Sequence, residues 1–278
     1  MAFYKPEQIF EITVGNGVKK TKYPIVKLLT LGFQAGAFIA LGYLLYIRVT
    51  AALPPQLDGL SSLIGASVFP IGLILTLLAG GELLTGNMMA VPLARMAKGI
   101  DTIQVVKNWM LVTVSNFAGA LFVAYVFGHL VGLTETGPFL EKTVNIAQHK
   151  LDASFLQALL SGIGCNWLVA AAVWLSYGAD DMMGKIAGIW FPTLTFVAIG
   201  FQHVVANMFI IPAAIFAGHF TWFDYAHNFV PVFLGNALGG TFFISWAYWL
   251  AYRKNESIEL AETPASSIPM PLKRTGGI

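Results

Sequence analysis

The chain has 278 residues, 56% of them apolar and 11% charged, with a mean hydropathy of +0.70. Soluble domains carry about 25% charged residues, so this chain lacks the polar surface to cover itself in water and reads as an all-α polytopic membrane protein. A net charge of +2 with no basic stripe away from the membrane flanks gives no nucleic-acid partner, and the single cysteine, Cys165, excludes an intrachain disulfide and any cysteine-rich metal site.

Three regions are expected. Residues 1–27 form a cytoplasmic segment in which 6–20 read as a short amphipathic helix, with Pro6 suited to the first turn. Residues 28–252 form a six-span transmembrane domain, and 253–278 a polar, flexible cytoplasmic tail. Lys19, Lys20, Lys22 and Lys27 precede the first apolar run, 28–47. A Pro-Pro loop at 54–59 follows, and further apolar runs cover 63–98, 105–128, 155–177, 185–217 and 229–252.

Two of these runs are too long for one span. At 1.5 Å per residue, 63–98 would reach roughly 54 Å and 185–217 roughly 50 Å, against a hydrocarbon core of ~30 Å. Both carry the same polar interruption. Gly81-Glu82-Leu83-Leu84-Thr85-Gly86-Asn87-Met88 stands in the first, and Phe201-Gln202-His203-Val204-Val205-Ala206-Asn207-Met208 in the second, with Glu82/Gln202, Asn87/Asn207 and Pro92/Pro212 each 120 residues apart. Each run is therefore expected to be two half-helices, 63–79 with 88–98 and 185–199 with 207–217. Asn87 and Asn207 fit as N-caps of the second halves. Non-helical backbone at membrane depth is tolerable only inside protein or against a water-filled cavity, and paired interruptions mark a transport site.

The 120-residue match continues through Asn108/Asn228, Asn116/Asn236 and Gly119/Gly239, whereas the first spans share glycine-rich faces but no register. Two units of three spans follow, the second inverted because three is odd: a 3+3 inverted repeat. Gly32, Gly36 and Gly42, and Gly162 with Gly164, suit close helix contacts. With both termini cytoplasmic, Arg48, Lys142 and Lys150 lie outside and the other 13 of the 16 Lys and Arg inside.

Polar residues inside such runs carry any chemistry. Half-helix N-termini at Met88 and Met208 would turn positive dipole ends toward the centre, which suits an anion. His203, the one histidine inside a predicted span, can give and take a proton near neutrality. Asn166 could hold the ring by hydrogen bonding, or serve as interhelical glue. Glu82, the one acid predicted within the membrane, fits best as an acceptor of backbone N–H bonds fixing its loop, or relays protons. Thr85 offers a hydroxyl. Lys150 either draws anions to the outer mouth or snorkels. Phe69, Leu73, Leu84, Val169, Phe196 and Phe201 flank the breaks as dry constrictions or as ordinary packing. No metal ligand set or cofactor is expected, and the chain does not read as an enzyme.

Gly81-Glu82-Leu83-Leu84-Thr85-Gly86, Cys165-Asn166-Trp167-Leu168-Val169 with Ala172-Val173-Trp174, and Gly200-Phe201-Gln202-His203-Val204-Val205-Ala206-Asn207-Met208 resemble the signatures of the formate/nitrite transporter family, over about residues 5–254. That resemblance implies an aquaporin-like protomer, a homopentamer in the cell membrane, and carriage of formate, nitrite or hydrosulfide. It also implies roles: His203 as the central histidine with Asn166 beside it, and Thr85 as the threonine of the first break. Lys150 becomes the lysine of the outer vestibule, Leu73 and Leu84 the inner constriction, Phe69 and Phe196 the outer one. Many members carry Glu immediately before the central histidine; Gln202 stands here and removes that carboxylate from any relay.

A bare charge crossing an apolar ring costs several kcal/mol. Protonating a carboxylate of pKa ~4 at pH 7 costs about 4 kcal/mol. Passage as the acid, with His203 supplying the proton, is the expectation. The rivals are a neutral-solute channel of the aquaporin kind and a membrane metalloenzyme. Asn-Met instead of Asn-Pro-Ala speaks against the first, and the lack of clustered ligands against the second.

Overall fold

A computed structural model describes residues 3–253. The expected tail, 253–278, falls outside the described residues except for Arg253. Ten helices follow one another among the described residues: α1 Pro6–Thr21, α2 Ile25–Thr50, α3 Asp58–Gly80, α4 Leu84–Met96, α5 Thr102–Leu130, α6 Pro138–Leu151, α7 Phe155–Gly178, α8 Met182–Ile199, α9 Val204–Phe216 and α10 Trp222–Tyr252. Six of them, α2, α3, α5, α7, α8 and α10, are long and apolar enough to cross a membrane. The half-helices α4 and α9 have 13 residues each, too few to span.

Local chemistry sets the boundaries. Gln157 donates its backbone N–H to Ser154 Oγ at the start of α7, and Gly184 donates to Asp181 Oδ1 at the start of α8. Asp224 donates its backbone N–H to Thr221 Oγ1 at the start of α10, so these first turns are side-chain capped. Pro6 and Pro138 open α1 and α6, where a missing N–H costs nothing. The two breaks end alike. Gly80 (φ 106°) closes α3 and Gly200 (φ 87°) closes α8, both in a region that side chains with a Cβ rarely adopt. The closing stretch of α3, Leu75–Gly80, and of α5, Val123–Leu130, is wound as π-helix, as is Gly239–Trp246 within α10.

The inverted repeat is larger than three spans per unit. α1–α5 matches α6–α10 helix for helix, so the amphipathic α1 has a counterpart in α6, a segment expected only as an outer connection. Gly32 and Gly162 accept equivalent bonds from Asn116 and Asn236, and are 130 residues apart, not 120. The first unit holds ten more residues between this glycine and the break than the second (50 against 40), in longer α2 and α3 and a longer link that includes the 3-10 turn Pro55–Leu57. That difference hides the register of the first spans.

Glycines bring the helices of each unit into backbone contact. A Cβ on Gly36 would overlap the carbonyl of Asn116, and one on Gly119 that of Phe33, so α2 and α5 cross without side chains between them. Gly162, Gly235 and Gly239 do the same for α7 and α10, and a Cβ on Gly42 would lie 2.8 Å from Phe69 O. Small residues serve this purpose where lipid removes the hydrophobic drive between helices. The resulting core holds Phe69, Leu73, Leu84, Val169 and Phe196, each 3% exposed or less.

Candidate functional site

Two asparagines build the breaks. Asn116 of α5 accepts from Leu84 N (2.9 Å) and donates to Gly32 O and Glu82 O (2.8 Å each). Asn236 of α10 repeats the arrangement with Val204 N (2.8 Å), Gly162 O (2.8 Å) and Gln202 O (3.0 Å). Each amide thereby satisfies the first N–H of a half-helix and the carbonyl of the unwound segment before it. Buried backbone groups are left almost nowhere without partners. The half-helices therefore begin at Leu84 and Val204, earlier than expected. Asn87 and Asn207 are not N-caps: they lie inside α4 and α9, and their backbone N–H groups already bond Leu83 O and His203 O (2.9 Å each).

Those two asparagines lock a second layer instead. Asn87 Nδ2 donates to Glu82 Oε2 and Asn108 Oδ1 (3.0 Å each); Asn207 Nδ2 donates to Gln202 Oε1 and Asn228 Oδ1 (2.9 Å each). Asn108 and Asn228 in turn donate to the backbone carbonyls of Lys20 (3.5 Å) and Lys150 (3.0 Å), which ties α1 and α6 to the breaks. Pro92, lacking an N–H, leaves Met88 O without its helical donor, and the Thr241 hydroxyl takes it at 3.0 Å.

His203 is the N-cap residue of α9. Its Nδ1 accepts the backbone N–H of Ala206 (3.1 Å), and its Nε2 stands 2.9 Å from Thr85 Oγ1, in the first turn of the opposite half-helix. An Nδ1 that accepts must be unprotonated, so the ring proton sits on Nε2 and points at the threonine hydroxyl. This bond joins the break regions of the two units. Phe196 stacks on the imidazole at 5.8 Å between ring centres and meets Phe69 edge-on at 5.9 Å.

Asn166 does not hold the His203 ring. Its Nδ2 donates to Asn236 O (2.7 Å) and Thr85 O (3.2 Å), which makes it the interhelical alternative with one addition: it fixes the residue that faces the histidine. It occupies the place of Gly36 in the other unit, where backbone meets backbone at Asn116. Glu82 does not accept backbone N–H bonds. Its carboxylate receives Lys20 Nζ at 2.8 and 2.9 Å as well as Asn87. Lys20, 62 residues upstream, is a site residue that local sequence did not disclose. Its carbonyl matches that of Lys150 in the other unit, the one signal that could have found it.

Lys150 stands differently from Lys20. It lines a cavity of about 810 Å³ together with Lys142, His149, Phe69, Phe196, Phe201, Gln202 and His203. The cavity thus runs from the α6 side of the protein to the central imidazole. Among the described residues, no carboxylate lies within ion-pair distance of Lys150 Nζ. Burial, with no acid to offset it, pushes the Lys150 ammonium down to about 8. Burial also favours the neutral form of Lys20, but Glu82, together with Tyr177 and Tyr23, outweighs it and holds that ammonium above its ordinary range. Leu73, Leu84 and Val169 are buried in the core that surrounds the centre, while Phe201 is partly exposed and lines the cavity. Among the described residues no group of three or more metal-ligating side chains occurs.

Comparison with known proteins places this architecture. Residues 7–250 match the family model described as Formate/nitrite transporter. The chain is 61% identical to the uncharacterized transporter YrhG of Bacillus subtilis over 92% of this chain and 96% of that protein. It is 56% identical to the formate channel BtFdhC of Bacillus thuringiensis, over 92% and 99% of the two chains. A solved structure described as a pentameric formate channel with formate bound superposes with a TM-score of 0.73 at 29% identity, covering 83% of this chain and 98% of that one.

Proposed function

This chain belongs to the formate/nitrite transporter family, and from that premise we propose that it carries formate, and related monovalent anions such as nitrite, across the membrane together with a proton. The observation that carries the reading is the Thr85–His203 pair, buried where two half-helix N-termini converge and reached by a cavity lined by Lys150. An anion entering that cavity meets an ammonium, then two positive dipole ends, then an Oγ–H and an Nε2–H donor. Phe69 and Phe196 beside the pair offer poor solvation to a travelling charge. Neutralising the carboxylate costs about 4 kcal/mol at pH 7, less than moving it bare through an apolar ring.

His203 enters this scheme in two protonation states. In the resting ring Nδ1 is occupied by Ala206 N–H, so Nε2–H serves as a hydrogen-bond donor. Protonating Nδ1 releases that N–H, at a cost of about 1 kcal/mol for a lost cap. The imidazolium then gives its Nε2 proton to formate and formic acid crosses, leaving the Nδ1–H tautomer; the cap re-forms once Nδ1 gives up that proton and Nε2 takes one up. The excess of Lys and Arg in the segments assigned inside supports both termini in the cytoplasm and the Lys150 cavity outside. A homopentamer in the cell membrane, one path per protomer, fits the relative described as pentameric and the exposed apolar helix faces.

The test is formate or nitrite uptake into proteoliposomes by a His203→Phe variant. The proposal expects pH-dependent uptake to be lost; uptake unchanged in rate and pH profile would sink the proton-transfer role.

A further inference from the structure

We propose that the two mouths of this protein bind the same small carboxylate with different affinities, because Gln202 leaves Lys150 free at one mouth while Glu82 occupies Lys20 at the other. The inference rests on the transport reading above and goes beyond it, since an inverted repeat by itself predicts equivalent mouths.

The comparison is internal to the chain. Lys20 and Lys150 sit at matching places, 130 residues apart, each just before the first span of its unit and each with its carbonyl held by the matching asparagine, Asn108 or Asn228. Asn87 with Glu82 and Asn207 with Gln202 complete two networks of the same shape. The difference is one atom pair. The Glu82 carboxylate takes the Lys20 ammonium through both oxygens, at 2.8 and 2.9 Å, and the pair is nearly buried, with 14% and 4% of the side chains exposed. The Gln202 amide is consumed by its own network: Oε1 accepts from Asn207 and Asn228 (2.9 Å each), and Nε2 donates to Lys150 O (3.2 Å). A neutral amide cannot compensate an ammonium, so Lys150 keeps its charge for a ligand.

The other charged groups on the cavity wall do not change this. Asp152 accepts from Gln148, and neither Asp152 nor Asp58 lies within ion-pair distance of Lys150, while Lys142 adds to the positive side. An anion at the Lys150 mouth thus meets an unpaired cation. At the Lys20 mouth it must displace Glu82 to reach one. Losing a charge-assisted contact to a free ammonium should raise half-saturation at the Lys20 mouth about tenfold over that at the Lys150 mouth.

Proteoliposomes sorted by capture on an N-terminal tag expose one mouth or the other, and initial formate flux is then read against external formate. The wild type is expected to half-saturate at about tenfold lower formate through the Lys150 mouth than through the Lys20 mouth. Gln202→Glu, an isosteric change, should raise the first value toward the second. Glu82→Gln should lower the second toward the first, and it decides the matter if Gln202→Glu abolishes flux. Equal half-saturation from both faces in the wild type, or no shift in Glu82→Gln, overturns the inference and leaves formate transport standing. Absence of formate flux from either face of the wild type would instead overturn the transport reading.

Discussion

His203 Nε2 lies 2.9 Å from Thr85 Oγ1, and this bond joins the N-terminal ends of two half-helices that belong to oppositely oriented repeats. The surrounding frame is symmetric down to single amides, but this pair is not: the residue matching Thr85 is Val205, and the residue matching His203 is Leu83. Chemistry enters where the repeat departs from itself.

Thr85→Val keeps the side-chain shape and removes the hydroxyl. It leaves Nε2–H unpaired in a buried site, at a cost of about 1–3 kcal/mol. Formate flux in proteoliposomes should fall about tenfold or more, whereas Thr85→Ser should stay near wild type. A Thr85→Val variant with full flux would remove the hydroxyl from the path.

Lys150 is charged below about 8 and neutral above it, because burial lowers its affinity for a proton. Anion capture at its mouth should therefore be full near pH 6.5 and weaken as pH rises through 8. Lys150→Arg stays charged throughout this range, so its half-saturation should vary less between pH 7 and 9. Parallel profiles for the two proteins would show that another group sets the alkaline limb.

Asn116→Ala removes three hydrogen bonds at once and strands Leu84 N and Glu82 O inside the protein, while Gly32 O keeps its partner within α2. At about 1 kcal/mol for each, with more for groups left unpaired, the loss is about 3 kcal/mol or greater. Thermal unfolding in detergent should show a markedly lower midpoint, and Asn236→Ala should match it. A large loss for one and none for the other would contradict equivalent roles in the repeat.

Gly119→Leu places a side chain where the Phe33 carbonyl already touches the helix. Forcing α2 and α5 apart should cost about 1–3 kcal/mol or more and reduce the yield of monodisperse protein by size-exclusion chromatography. Gly15→Leu, at a position with nothing within 4 Å of a Cβ, is the control that should be tolerated.

Much of this was legible in the residue order. The offset of 120 between Glu82 and Gln202 exposed both breaks, the inversion and the central histidine, because polar groups stand out in apolar runs. Of the glycines expected at helix contacts, Gly36, Gly42 and Gly162 meet neighbouring helix backbone and Gly32 the Ser115 side chain, whereas Gly164 faces the Phe201 ring. What stayed hidden depended on distant partners. Asn87 and Asn207 have the residue type of a cap, but the first N–H groups are taken by Asn116 and Asn236, 32 residues on. Glu82 looked like a loop fastener because Lys20 comes to it from another helix. α6 was missed because it has no apolar run; its buried side is a stripe through Thr143 and Ala147, signalled locally by Pro138 alone. The register of the first spans was masked by the ten extra residues of the first unit.

The central claim is that formate crosses the Thr85–His203 centre with a proton. Proteoliposomes holding a pH dye should be given isotopically labelled formate while luminal pH, formate entry and membrane current are recorded together. The account predicts one proton entering per formate, with no net current. Formate entry that carries current and leaves luminal pH unchanged would contradict it.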